Sequence, residues 1–250
     1  MNRYFIVIYT ISDVYKKRKR NAFIFSVEIY VPFTIWHYCL HVNFENWTIY
    51  VYRSFMYTII EMIKKGVVSI MSLNGWFERG ITKEQYIDSL EYHRDNFLKI
   101  YENFQVPEED KAQLQEKNNL RCIVLAEVWC GHCMMDVPIL LKLTETAGIP
   151  VRILPRDSHL ELMDQYLTNG KRYIPIVIFI DEDGNEVAKW GPMAPEIEEY
   201  VNELKKDLPE KDAPGYKEAF KKYVDEIGKT FSTNETFWNY VYEDMKKAIA

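Results

Sequence analysis

The sequence predicts an α/β protein, a mixed β-sheet with helices on both faces and further helices before and after it. Three observations lead there. Between 122 and 206, short apolar runs alternate with helical stripes in the order β-α-β-α-β-β-α. Cys130-Gly131-His132-Cys133 stands where the first of those strands gives way to the first helix. Amphipathic stripes flank the unit on each side, over 82–104 and 214–245.

Taken in order, the first element opens at Thr82, whose hydroxyl and the Gln85 amide have capping-box spacing. Tyr86, Leu90, Phe97, Tyr101 and Phe104 then recur at helical intervals. Pro107 followed by Glu108, Glu109 and Asp110 suits the first turn of another helix, because proline fits there and acids complement the dipole. The run 122–126 is apolar throughout, as a strand covered on both faces requires. Residues 131–146 form a helix with Met135, Ile139, Leu140 and Leu143 on one side. A strand over 151–154 and a helix over 159–167 follow. Pro175 opens the apolar strand 176–180, a turn occupies 181–185, and 186–190 returns as its hairpin partner. A helix over 195–206 closes the unit. Beyond it, Tyr216, Phe220, Tyr223, Val224 and Ile227 stripe a helix over 214–228. Ser232 and Glu235 have the spacing of a second capping box before Phe237, Tyr240, Val241 and Met245. The expected organisation is a helical extension over 71–119, the α/β domain over 120–208, and a helical extension over 209–250 packing on it.

Residues 1–70 differ in kind. They hold eleven Ile, eight Tyr and six Phe, but one Leu, one Ala and one Gly, where folded domains favour the last three. They carry nine Lys and Arg against four Asp and Glu, whereas 71–250 carries 22 against 33. No helical stripe or strand alternation persists through the segment. The expectation is that the native start is Met71, and that 1–70 is upstream AT-rich DNA read as protein. The codons of Lys64 to Val67 can supply the purine-rich run that a ribosome-binding site needs. The alternative is a genuine aromatic extension. The short apolar stretch 4–11 lacks a small-residue cleavage site, and 22–44 is interrupted by Glu28, Pro32, His37 and His41, which argues against a signal peptide or membrane anchor.

The net charge of −6 excludes a whole-chain basic field for nucleic acid. Four cysteines in 250 residues are too few for a secreted disulfide framework, so a reducing, cytoplasmic setting is expected. A zinc centre needs four ligands, and the remaining Cys39, Cys122, His93 and His159 are scattered singly, so no metal is expected. Redox chemistry fits the Cys-x-x-Cys better. With Cys130 at a helix N-terminus, free backbone N–H groups and the dipole stabilise its thiolate, which is the attacking species. Cys133, one turn on, is placed to resolve the mixed disulfide. His132 between them adds positive charge near the thiolate, which stabilises the reduced pair and makes the couple more oxidising.

At this point 120–205 resembles the thioredoxin superfamily. Trp129-Cys130-Gly131-His132-Cys133 is similar to its active site, with the Gly-His pair closer to protein disulfide isomerases. Pro138 falls where the family has its helix-kinking proline, and Ile174-Pro175 looks like its cis-proline, which faces the disulfide and offers backbone groups to a substrate strand. Asp183-Gly184-Asn185 and Trp190-Gly191 match the following hairpin. The resemblance implies a thiol–disulfide oxidoreductase in which Cys130 attacks, Cys133 resolves, and Trp129, Gly131, His132, Ile174 and Pro175 meet the substrate. It also implies disulfide-containing protein substrates, a reductase as electron source, no bound cofactor and a monomer. Two departures stand out. The family's buried Asp, six residues before the first Cys, is Val124 here, and the only acid of that strand end is Glu127, which either takes the Cys133 proton or faces solvent or caps the next helix. The family's Gly-Pro dipeptide is missing, which leaves the direction of electron flow open. A rival from another class is a binding or redox-sensing module whose acidic flanking helices cover the substrate face. A weaker third is metal carriage by the dithiol with His132.

Overall fold

The computed structural model describes the backbone of 18–19, 22–31 and 34–41 and the whole of 71–250. The chain divides into two compact units, Met1–Ile70 and Met71–Ala250. In the first, β1 (Arg18–Lys19), β2 (Ala22–Val31) and β3 (Thr34–His41) pair antiparallel in that order. Val31 lies opposite Thr34 and Ile24 opposite His41. Ile-, Val- and aromatic-rich backbone suits a pleated surface even without clean alternation. The stretch 4–11 lies outside the described residues, as does the Cys39 side chain.

In the second unit, α1 (Leu73–Arg79) is capped by Ser72, whose hydroxyl accepts the Gly75 N–H at 3.2 Å. Helix α2 (Lys83–Asp88) begins on the capping box of Thr82 and Gln85. Helices α3 (Arg94–Asn103) and α4 (Glu108–Gln115) follow, with Pro107 as the residue before the first helical one. Strand β4 (Arg121–Ala126) leads into α5 (Gly131–Ala147), which contains Pro138 and ends at Gly148 in the left-handed region, φ 71°. Strand β5 (Val151–Pro155) is followed by a 3₁₀ turn and the short α6 (Leu160–Met163), well under the expected span of 159–167. The hairpin β6 (Ile176–Ile180) and β7 (Glu186–Trp190) precedes α7 (Pro195–Lys205).

The sheet order is β5-β4-β6-β7, with β4 parallel to β5 and antiparallel to β6. Ile81 adds a single bridge to Ile153 on the β5 edge. Every residue of β6, and all of β4 but Arg121, is buried, as a sheet with both faces covered requires.

Helix α8 (Tyr216–Thr233) is longer than the stripe over 214–228 suggests, and it absorbs Ser232. The expected Ser232–Glu235 capping box is therefore absent. Asn234 caps α9 (Glu235–Ala248) instead, its carboxamide oxygen accepting the Thr236 and Phe237 N–H groups. Asparagine at a helix start is as good a cap as serine, so the boundary moved by two residues at little cost.

Helix α5 packs against α3, α4, α8 and α9 as well as β4. That explains a second departure. The single apolar face expected for α5 is instead an almost wholly buried cylinder running through Met134, Met135, Val137, Ile139, Leu140, Leu141 and Leu143. A helix surrounded on all sides needs apolar residues all round. Helix α9 is tied down by polar contacts at both flanks. The Trp190 indole N–H donates to Asp244 at 2.8 Å, and the Tyr242 hydroxyl and Lys246 ammonium each donate to Asp110 at 2.8 Å. No helix among the described residues is long and apolar enough to cross a membrane.

Candidate active site

The β4–α5 junction places the two cysteines. Cys130 is the N-cap of α5, with extended backbone, and its N–H donates to the Glu127 carbonyl at 3.2 Å. Its sulfur accepts the Cys133 N–H at 3.4 Å and lies 3.7 Å from the Ile174 carbonyl oxygen. Both thiols are free. The flanking Ile174–Pro175 peptide is cis, and so is Gly191–Pro192 on the neighbouring strand end. Behind Pro175 the backbones approach closely: Gly191 has φ 116°, and a Cβ there would stand 2.3 Å from the Pro175 carbonyl oxygen.

The thiols differ in their surroundings. The adjacent Cys133 thiol is the largest influence holding the Cys130 thiol below its ordinary value. The Cys133 and His132 N–H groups and the Arg156 guanidinium act in the same direction, and burial opposes them. Cys133 is fully buried, and burial first, then the neighbouring Cys130, pushes its thiol well up. One sulfur is thus prepared to be the thiolate and the other to remain a thiol until it is needed.

Trp129 projects beside Cys130 with 51% of its surface exposed. The Arg156 guanidinium lies 4.9 Å from its ring centroid, pairs with Asp157, and donates to the Arg172 carbonyl at 3.1 Å. An indole with a cation on one face and its remaining area in water is a ready contact surface. A Cβ on Gly131 would meet nothing within 4 Å, so the first turn of α5 is open at that point.

Two residues sit differently from the expectation. His132 does not present a charge to the thiolate. Its ring packs against Phe231 of α8 with centroids 5.2 Å apart, and burial pushes its pKa down to about 4, so it is neutral at neutral pH. Its Nδ1 is buried without a hydrogen-bond partner. The inference of a more oxidising couple from a His132 charge therefore loses its cause. Glu127 is buried, 8% exposed, but its carboxylate is engaged elsewhere, accepting the Asp157 N–H at 2.7 Å. It anchors the loop after β5, and with it the base of Arg156. Its carbonyl also accepts the Tyr86 hydroxyl at 3.3 Å. Cys122 of β4 is fully buried, and burial raises its thiol far above the ordinary value.

The residue that sequence reasoning missed is Asp136. It lies in α5 one turn beyond Cys133, is wholly buried, and neither carboxylate oxygen has a hydrogen-bond partner. Burial first, and the Cys130 charge second, push its carboxyl well above the usual range. The signal was present as an acid inside the apolar stretch from Met134 to Leu141. Among the described residues no cluster of three or more His, Cys, Asp or Glu could hold a metal ion.

A thioredoxin family model matches residues 80–205, just over half of the chain. No curated protein matches the chain in sequence. Among solved structures, the chain is similar to a protein of unknown function from Pseudomonas aeruginosa, at 16% identity and a TM-score of 0.47, over 72% of this chain and 99% of that one. It is also similar to an HIV epitope scaffold, at 17% identity and a TM-score of 0.47, over 71% of this chain and 99% of that one. The chain belongs to the thioredoxin family.

Proposed function

We propose that the protein is a thiol–disulfide oxidoreductase acting on protein disulfides through Cys130 and Cys133. The observation that carries this reading is the asymmetry of the pair: a helix-capping thiol with a lowered pKa beside an exposed Trp129, and a fully buried partner one turn away. The Cys130 thiolate attacks one sulfur of the substrate disulfide, giving a mixed disulfide and releasing the first substrate thiolate. Cys133 then gives up its proton, to the first released thiolate or to solvent, and attacks the Cys130 sulfur, closing the Cys130–Cys133 disulfide and releasing the second thiolate. Two electrons pass to the substrate, and a reductase restores the dithiol with no bound cofactor. The Ile174 carbonyl beside Cys130 and the surface of Trp129 with Arg156 hold the substrate chain. The cytoplasm is the setting in which such a pair is kept reduced.

Insulin reduction by the dithiothreitol-primed protein tests this. Wild type should precipitate the insulin B chain and Cys130→Ser should not; equal activity in both would end the reading.

A second reading has an observation of its own. Helices α8 and α9 wrap α5, and Phe231 covers His132. A module that senses redox state or binds a partner would use such a covered helix to pass a change at the dithiol to the C-terminal pair. It predicts a dithiol that titrates with glutathione but does not turn over insulin.

A further inference from the structure

All three nitrogens of the Arg156 guanidinium are engaged. The residue opens the 3₁₀ turn Arg156–Ser158 after β5, and its side chain is 18% exposed. Nε and Nη2 donate to Asp157 Oδ1 at 2.9 and 2.6 Å, and Nη1 donates to the Arg172 carbonyl at 3.1 Å. The guanidinium also packs on the Trp129 ring, 4.9 Å from its centroid. A planar fork with donors in fixed directions can make these contacts together, and a lysine ammonium cannot.

The contacts reach two segments that border Cys130. Trp129 precedes it in the chain. Arg172 lies two residues before Ile174, whose carbonyl oxygen stands 3.7 Å from the Cys130 sulfur. The turn that carries Arg156 is itself pinned. The buried Glu127 carboxylate accepts the Asp157 N–H at 2.7 Å, and the His159 Nδ1 lies 2.8 Å from the Pro155 carbonyl oxygen. A line of contacts therefore runs from Glu127 through Asp157 to Arg156, and from there to Trp129 and Arg172.

We propose that Arg156 is a positioning residue of the dithiol site, holding Trp129 and the segment before Pro175 as two walls of a preformed groove for the substrate chain, an inference that rests on the dithiol reading above. Glu127 acts one step further back, as the anchor that fixes Arg156 through Asp157. A substrate strand that meets both walls already set does not have to order them on binding, and that ordering otherwise weakens the complex. It also presents its disulfide to Cys130 in one orientation.

The guanidinium also brings a permanent charge to this face of the protein. It joins the Cys133 thiol and the Cys133 and His132 N–H groups in favouring the Cys130 thiolate, against burial. The other groups near the sulfur do not supply a cation. His132 is held neutral by burial, with the Lys205 charge of α7 adding to that. Tyr86 of α2 is kept a phenol by burial, and burial raises the Asp136 carboxyl of α5. Arg172 donates to Asp164 at 2.6 Å.

Two measurements on the reduced full chain separate the groove from the charge: single-turnover reduction of insulin, and the pH profile of Cys130 alkylation by iodoacetamide, read by mass on the Cys130 peptide. In Arg156→Met, insulin reduction should slow roughly tenfold. Alkylation should slow roughly three- to tenfold at mildly acidic pH and catch up as pH rises. Arg156→Lys keeps the charge and loses the fork. Its alkylation profile should return toward that of wild type, showing Cys130 undisturbed, while insulin reduction stays slow. Glu127→Ala should slow insulin reduction, and Glu127→Gln, which keeps an oxygen for the Asp157 N–H, should restore it. Wild-type insulin rates in both Arg156 variants would overturn the proposal and leave the dithiol reading intact. If Arg156→Met does not fold, Arg156→Lys alone decides, and a wild-type insulin rate there overturns the proposal. A wild type that reduces no insulin would remove the dithiol reading, and the groove with it.

Discussion

The ring of His132 lies against that of Phe231, 5.2 Å between centroids, so this residue of the Cys-x-x-Cys turn is buttressed by α8. A histidine held neutral in the fold, with its pKa near 4, resists protonation that the unfolded chain accepts near 6.5. Acidification therefore favours the unfolded state. The stability that His132 allows is complete above pH 6.5 and is lost as pH falls toward 4. The loss should be of order 1–3 kcal/mol across that window. Asp136 acts in the opposite sense, its raised carboxyl costing stability as pH rises, so wild type alone will not isolate the effect. Urea melts of wild type and His132→Gln between pH 7 and 4.5 should diverge, with the variant losing less. Parallel curves would mean that the ring is protonated in the fold.

Gly191 supports the loop that faces the thiols. With φ 116° and a prospective Cβ 2.3 Å from the Pro175 carbonyl, Gly191→Ala must displace one backbone or the other. A loss of roughly 3 kcal/mol is expected, together with slower insulin reduction from a displaced Ile174 carbonyl. A variant with wild-type melting temperature and activity would contradict the close approach.

Asp110 of α4 takes hydrogen bonds from Tyr242 and Lys246 of α9, at 2.8 Å each. The Lys246 contact, against the effect of burial, holds the carboxyl below the usual range, with Tyr242 helping. This contribution is present above pH 3.8 and disappears as pH falls through the lowered pKa. Asp110→Ala strands the Tyr242 hydroxyl, leaves the Lys246 ammonium with Glu243 alone, and should cost about 1–3 kcal/mol. Denaturant midpoints at pH 7 measure it, and a change under half of the lower figure would show that the Asp110 contacts add little to what holds α9.

Trp129 has half its surface in water, so Trp129→Ala should change the melting temperature little. Its effect belongs to substrate contact. Turnover of protein disulfides should fall roughly tenfold, while attack on a small aromatic disulfide should hold its rate. Equal losses on both substrates would place Trp129 in the support of Cys130 instead.

Much of the unit over 71–250 was legible as sequence because local rules suffice for it. Thr82 and Gln85 cap α2 by their own spacing, the apolar runs of β4 and β6 specify covered strands, and Cys130 at the start of a helix gains backbone N–H groups wherever that helix packs. Helix ends were less secure, since Asn234 and Ser232 are nearly equivalent caps and packing chose between them.

Which charges exist at the site was not a local matter. A solvated histidine gains its proton near pH 6.5, whereas burial, with Phe231 of α8 packed on the ring, keeps His132 neutral down to about pH 4. Asp136 would be an ordinary carboxylate on an isolated helix. It becomes a raised, partnerless carboxyl because α3, α4, α8 and α9 close around α5 and strip its water. Glu127, the acid nearest the motif in sequence, is turned to Asp157 by the path of the loop after β5. Residue types and their spacing settle where the dithiol stands in the fold, whereas desolvation, which depends on what long-range packing brings near, decides which of its neighbours can hold a charge or a proton.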